Sequence, residues 1–499
     1  MMQRKLQWLV LLSAVPLTFG FAQFKPGLTP VSKELKDGFN SIKPDDGRKI
    51  LAYLAGPECE GRGTGEPGYQ KATEYVAMQF KKAGLKSVMP DGSFFQFNDF
   101  WRVGVDTKSL AISSDTYKVP TKEIGVSITG NVDVSGEVVV VYLSGKVAAL
   151  GDDMKSQIEG KVVFLRNDST TRGIERSITA LGPKAVVSIT SNLPVPGFQG
   201  RASDPGTANA RAGRLALRPE EAVKLIPNGT DLITNPGKDS VKVSTSGVSV
   251  TLRCTQIVEK IKVANVVAKL EGSDPLLKEE YVGVGAHLDH LGRRGDVIYY
   301  GADDDGSGCT GLIQLAHALS KNSIKPKRSV LFMAFYGEEM GLLGSRFLSD
   351  NSPVPLDKMI AELQMDMIGR DSDGAQNGDP NRMDKASENT DTIRLVGSKR
   401  ISTRLDDIIQ EMNGSIGFRF KYDAEDVYTR SDHYNFARKG IPIAFFFSGF
   451  HADYHQPTDT IEKINYDKIA NTAKLAYLTI HKLGQEAGPL PKIQKSGGN

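Results

Sequence analysis

Apolar residues recur at three- and four-residue steps from Gly68 to Leu85. Ala72, Tyr75, Val76, Phe80 and Ala83 share one face, and the spacing predicts an amphipathic helix with Gly84 as its stop signal. Between about 110 and 260 the pattern changes. Short β-rich runs, such as Val138-Val139-Val140-Val141-Tyr142 and Lys161-Val162-Val163-Phe164-Leu165, are punctuated by Gly, Pro and Asn, and no His occurs there. Beyond this stretch strands and helices alternate. Tyr281 to Gly285, Ser329 to Tyr336, Met359 to Met365 and Ile441 to Phe447 read as strands. Gly311 to Leu319, Met340 to Leu348, Ile401 to Met412 and Tyr466 to Leu483 read as helices. This alternation predicts an α/β domain with a mostly parallel central sheet flanked by helices, interrupted by a β-rich segment.

The first 22 residues stand apart. Arg4 and Lys5 precede an apolar run, Leu6 to Ala22, with small Gly20 and Ala22 at the −3 and −1 positions of a cleavage site. A cleaved signal peptide is expected, and with it a secreted or periplasmic protein. No later apolar run approaches the ~20 residues that a membrane span requires.

Composition narrows the class. The chain has 499 residues, 39% hydrophobic and 24% charged, which is ordinary globular usage and sets disorder and coiled coil aside. The formal net charge of +3 provides no electrostatic case for nucleic acid or an anionic membrane. Cys59, Cys254 and Cys309 are too few for a disulfide scaffold, and the sequence leaves open whether any two pair.

Chemistry concentrates late in the chain. All seven histidines follow residue 286, and five form two clusters: His287 with His290, and His433, His451 and His455. His317 and His481 fall within apolar helical patterns and read as helix-packed. Acidic residues gather near the clusters: Asp289 in Gly285-Ala286-His287-Leu288-Asp289-His290, Asp303-Asp304-Asp305 before a helix, Glu338-Glu339 after one strand and Asp366 at the end of the next. Such positions match the crevice at the carboxyl ends of strands where open α/β sheets bind ligands. Adjacent carboxylates repel one another, and bound cations compensate if they converge in a cleft. Imidazole with carboxylate suits Zn²⁺ better than Ca²⁺ or Mg²⁺. A metal pair needs one shared carboxylate and another that is free to take a proton from water.

Three other patterns compete. Asp303-x-Asp305-x-Ser307 faintly resembles a calcium loop, but Gln314 stands where that loop needs a bidentate Glu. Gly306 to Gly311 matches G-x-G-x-x-G, but three aspartates precede it and would repel a pyrophosphate. Cys309 has no nucleophile signature around it and reads as a small buried residue.

The ordered segments GAHLDHLG, GADDDGSG, FYGEEMGLLGS, LQMDMIGR and DYHQPTDT, with SDHYNF and the early EGRGTGEPG, resemble the secreted zinc-dependent aminopeptidases, dizinc exopeptidases of the bacterial leucyl aminopeptidase and glutamate carboxypeptidase type. The resemblance implies two Zn²⁺ per chain. Asp304, Glu339 and His455 would hold one, and His287, Asp304 and Asp366 the other, with Asp304 bridging. It further implies Glu338 as general base, Asp289 as the carboxylate that orients the first His, and Tyr454 as a donor to the tetrahedral oxyanion. Tyr454 reads equally as a wall of the substrate pocket. The family joins the dipeptide matching Asp304-Asp305 by a cis bond.

Residues 111–260 resemble an inserted protease-associated (PA) domain, on Ile158 to Leu165 and Leu181 to Ser188. The expected organisation is a leader 1–22, an N-terminal peptidase part 23–110, the insertion 111–260, a catalytic domain 261–490 and a disordered tail 491–499. The implied function is hydrolysis of N-terminal residues from peptide substrates. A carboxypeptidase or dipeptidase on the same fold, or an inactive peptide-binding homologue, are the alternatives, and the oligomeric state stays open.

Overall fold

Near-continuous apolar runs such as Tyr281–His287 and Ser329–Phe335 become strands buried on both faces, as parallel strands covered by helices must be. A computed structural model describes residues 27–493 apart from 129, 148–149, 151, 172, 195–198, 205–213, 228, 235–239 and 373–384. The expected leader and the end of the expected tail lie outside the described residues.

Four parallel strands form the centre of the sheet, in the order Ile443–Phe447, Met359–Met365, Tyr281–His287, Ser329–Phe335. Antiparallel partners flank them: Thr392–Val396 on one side and the long strand Val241–Leu270 on the other. Ser329–Phe335 lies on one side of Tyr281–His287 and Met359–Met365, the following strand, on the other. The chain therefore reverses its winding there, which opens the crevice of a doubly wound sheet.

Alternation along each strand separates two faces. Val330, Phe332 and Ala334 join the larger core, with the helices Pro67–Lys82, Gly306–Lys321 and Tyr466–Gln485. Leu331, Met333 and Phe335 join a smaller core with Leu348 and Phe436. The helix predicted at Gly68 to Leu85 spans Pro67–Lys82, with Pro67 at its first turn, where a missing N–H is harmless. Gly84 takes φ +76°, a left-handed conformation that ends the helix. The helix predicted from Met340 starts later, at Leu343, because Gly337 to Leu342 turn tightly with Gly341 and Leu342 at positive φ.

The middle of the chain is more helical than its sequence suggests. Val132–Gly145, Val162–Ser169, Ala185–Ile189 and Arg214–Leu217 are parallel, with the helices Asp152–Ile158 and Ile174–Ala180 between strands. Helices of seven residues are too short to show a period of 3.6 above the apolar strands around them. This part has its own two cores, one on each side of its strands. The strands Phe95–Ser113 and Val241–Leu270 pair antiparallel and run through both parts, so positions 111 and 260 fall within continuous strands. Cys59, Cys254 and Cys309 are all free and buried, and Cys59 and Cys254 belong to different cores. Among the described residues, no helix is long and apolar enough to cross a membrane.

Candidate active site

The carboxyl ends of the four central parallel strands and the segments that follow them converge. His287 ends its strand. Asp304 precedes the helix Gly306–Lys321, Glu338 and Glu339 follow Ser329–Phe335, Asp366 follows Met359–Met365, and His455 lies in the loop beyond Ile443–Phe447. The bond between Asp304 and Asp305 is cis.

Asp304 lies at the centre. Its Oδ1 is 3.1 Å from His287 Nε2, and its Oδ2 is 3.1 Å from His455 Nε2. His287 Nε2 is also 3.5 Å from Asp366 Oδ1, and His455 Nε2 is 3.0 Å from Glu339 Oε2. Two donor groups therefore share Asp304. His287, Asp304 and Asp366 could hold one metal ion. His290, Asp304 and Glu339 form a second such group, and His455 faces the same two carboxylates. His290 Nδ1 lies 2.8 Å from Glu339 Oε1, a contact that the choice of His455 from sequence does not include.

The main chain orients these groups. His287 Nδ1 donates to the Asp289 carbonyl at 3.0 Å, which leaves Nε2 free to bind. The Asp289 carboxylate, expected to orient this ring, is farther from it, at 3.8 Å, and accepts the N–H of Glu338 at 3.0 Å. Asp305 caps the following helix through Gly308 N and also accepts the N–H groups of His287 and Met367. Ser431 Oγ donates to Asp366 at 2.7 Å. Asn265 is fully buried. It accepts from Tyr336 N and donates to the Gly344 carbonyl, closing the turn that contains Glu338 and Glu339. Ser431 opens the SDHYNF segment, but neither its bond to Asp366 nor the role of Asn265 is legible in the sequence, since their partners lie far along the chain.

Burial opposes charge on Asp304, but hydrogen bonds from His287 and His455 outweigh it and hold the carboxyl well below the ordinary range. Burial pushes the Glu338 carboxyl well up, partly offset by His287. Glu338 lines a pocket with His287, Asp304 and Asp366, walled by Met367, Val427, Phe445, Phe447, Phe450 and Tyr454, with Arg430 at its edge. Tyr454 stacks on His455 with ring centroids 3.8 Å apart and receives a hydrogen bond from Arg430 at 3.3 Å. Burial raises its phenol, so the hydroxyl keeps its proton.

The other histidines lie apart from the donor groups. His433 stacks on Phe445 and donates to the Tyr428 carbonyl, and burial lowers it to about 3. His451 Nε2 lies 3.3 Å from Asp303 Oδ2. His317 bonds Gln79, and His481 packs against Tyr477. Cys309 donates its thiol to the His287 carbonyl.

The donor set fits a metal. Asp304 Oδ2 and Glu339 Oε1 are buried acceptors without a well-aligned hydrogen-bond donor. Imidazole nitrogens with carboxylate oxygens suit a borderline ion such as Zn²⁺. Such donors at the switch point of an open α/β sheet are the arrangement of a metal-dependent hydrolase. Residues 265–480 match the model of Peptidase family M28, a span that contains every donor described above. That span is similar to this family, and the chain is a metallopeptidase.

The chain is 25% identical over 517 residues to a probable leucine aminopeptidase 2 of Aspergillus oryzae, covering 98% of this chain and 92% of that protein. It is also 25% identical over 461 residues to an aminopeptidase of Pseudomonas aeruginosa, with 86% and 78% covered. Among solved structures, the zinc aminopeptidase BSAP of Bacillus subtilis superposes with a TM-score of 0.59 at 17% identity, covering 89% of this chain and 95% of that one. The aminopeptidase of Aneurinibacillus sp. strain AM-1 superposes at 0.55 with 20% identity over the same shares. The fold is thus that of these enzymes.

Proposed function

We propose that this chain is a zinc-dependent aminopeptidase with two metal ions per chain, acting outside the cytoplasm on peptides. The observation that carries the reading is Asp304, whose two oxygens face His287 and His455 at 3.1 Å each. His287, Asp304 and Asp366 would hold one ion, and Asp304, Glu339 and His455 the other, with His290 Nδ1 2.8 Å from Glu339 Oε1. Bound zinc would supply Lewis acidity to the scissile carbonyl and acidify the attacking water. The relatives named leucine aminopeptidase and zinc aminopeptidase support this reading, and the apolar run at 6–22 supports export.

Glu338 is the general base. It borders the donors without joining either group, and burial raises its affinity for a proton, which suits a proton-accepting role. It takes the proton of the attacking water and returns it to the leaving amine. Asp289 orients the turn before Glu338 through its main-chain bond. Tyr454 keeps its proton and donates to the developing oxyanion. Met367, Val427, Phe445, Phe447 and Phe450 form an apolar wall suited to an apolar N-terminal side chain. The surrounding carboxylates favour a substrate ammonium group over a carboxylate. Residues 111–260 form a PA-like insertion that shapes access for longer peptides.

Arg430 supports the second reading, a carboxypeptidase, because a guanidinium at the pocket edge could clamp a terminal carboxylate. A free peptide, its N-acetylated form and its C-amidated form distinguish the two. Acetylation is expected to abolish cleavage and amidation to leave it nearly unchanged. The opposite pattern would make the enzyme a carboxypeptidase.

A further inference from the structure

The early segment EGRGTGEPG lies outside the donor loops, yet it is built into them. Arg62 is 0% exposed, and its guanidinium is spent on main-chain carbonyls. Nε donates to Leu288 at 2.9 Å, Nη1 to Leu54 at 2.8 Å and Tyr300 at 2.9 Å, and Nη2 to Gly301 at 2.8 Å. Leu288 sits between His287 and Asp289, and Gly301 lies three residues before Asp304. One planar fork therefore joins the loop of one donor to the loop of the shared carboxylate. The same short segment binds back through its own backbone: the Arg62 carbonyl accepts from His290 N at 3.1 Å, and the Gly61 carbonyl from Gly292 N at 3.0 Å. Thr64 Oγ1 accepts from Gly337 N at 3.0 Å, next to Glu338.

The local backbone is arranged for this. Glu60, Gly61, Arg62 and Gly65 all have positive φ, at 45°, 75°, 53° and 82°. Glu60 and Arg62 hold a conformation that side chains disfavour, which persists only where the surroundings over-determine it. Burying a guanidinium is costly unless its donors are satisfied. Here main-chain carbonyl dipoles satisfy them. Lysine has three donors around a single point and cannot reproduce a rigid fork.

We infer that Arg62, with Thr64 beside it, is a positioning residue of the metal centre, setting the separation of the His287, Asp304 and Glu338 loops. The inference rests on reading the donor cluster as a metal centre. It predicts an effect on metal affinity, which a purely structural role would leave unmoved. Partners that orient metal ligands typically change affinity by about 10–100-fold when lost.

The test uses the full chain, unsubstituted and as Arg62→Lys, Arg62→Met and Thr64→Val. Zinc affinity is read by competition with a chromophoric chelator, the visible spectrum of the Co²⁺-substituted protein reports donor geometry, and the melting temperature of each metal-free form reports folding. Arg62→Lys is expected to bind zinc about 10–100-fold more weakly per folded molecule and to shift the Co²⁺ bands. Thr64→Val, the variant with the smaller structural burden, is expected to weaken zinc in the same direction. Unchanged affinity and spectrum in folded Thr64→Val and Arg62→Lys, with only a lower melting temperature, would overturn the positioning role alone. Failure of the unsubstituted chain to bind zinc at all would overturn the metal-centre reading and this inference with it.

Discussion

The main-chain N–H of Glu338 donates to the Asp289 carboxylate at 3.0 Å, tying the loop after one central strand to the turn after its neighbour. Burial raises this carboxyl to about 6, against the opposing influence of His287. Asp289 thus holds the turn by an acceptor that needs geometry more than charge. Asp289→Asn keeps an amide oxygen for Glu338 N and is expected to retain more activity than Asp289→Ala, which leaves a donor unpaired. The alanine variant is expected to lose about 10–100-fold in kcat/KM. Steady-state kinetics on a short peptide check the order, and equal losses would remove the geometric role.

Glu338 and Glu339 are adjacent but face different tasks. Glu339 lies within 3.0 Å of both His290 and His455, whereas Glu338 forms no such pair. Glu338→Gln is expected to keep about two metals per chain and to lose several orders of magnitude in turnover. Glu339→Ala is expected to lose metal. Elemental analysis of the purified variants decides, and a zinc-free Glu338→Gln beside a fully loaded Glu339→Ala would reverse the assignment.

Glu362 offers a pH test away from the donors. It shares a strand face with Gln364, is fully buried, and neither of its oxygens has a hydrogen-bond donor. Burial, and then Asp432, push its carboxyl well above the ordinary value of 4.5. An acid raised in the native state folds at no cost while both states are protonated. It destabilises progressively as pH rises from the unfolded value towards the native one. Glu362→Gln removes this penalty and keeps the shape. Its gain in melting temperature over the wild type is expected to grow as pH rises above the ordinary carboxylate range. A gain that stays constant over that rise would show that Glu362 is not the source.

All three thiols are free and buried. Burial pushes Cys59 and Cys254 up to about 11 and raises Cys309 as well, so little thiolate forms near neutral pH. A chromogenic disulfide reagent is expected to find no reactive thiol in the folded protein and three after denaturation. Fewer than three in denaturant would reveal a disulfide.

Much of the central architecture is legible as local pattern. Tyr281–His287 and Met359–Met365 are buried on both faces, so their apolar runs announce strands without any knowledge of neighbours. The helix at Tyr466–Gln485 is long enough to show its period, and Asn465 caps it through Lys468 N. The donors are legible for the same reason. Histidines and acids at the ends of such strands are short motifs, and their order along the chain is itself a pattern. The strand Thr392–Val396 escapes this reading because Arg394 interrupts it. That charge is tolerated at 5% exposure through Asp423, at 2.8 Å, and the Ser448 carbonyl, at 2.9 Å. Which donors meet was decided by tertiary structure alone. His287 and His290 share one motif, yet the first faces Asp366 and the second Glu339, because the chain turns between them. Arg62 reaches Gly301 across 239 residues of sequence. No window of a few residues contains such a contact, since it exists only once the sheet and the early segment have closed around the same cleft.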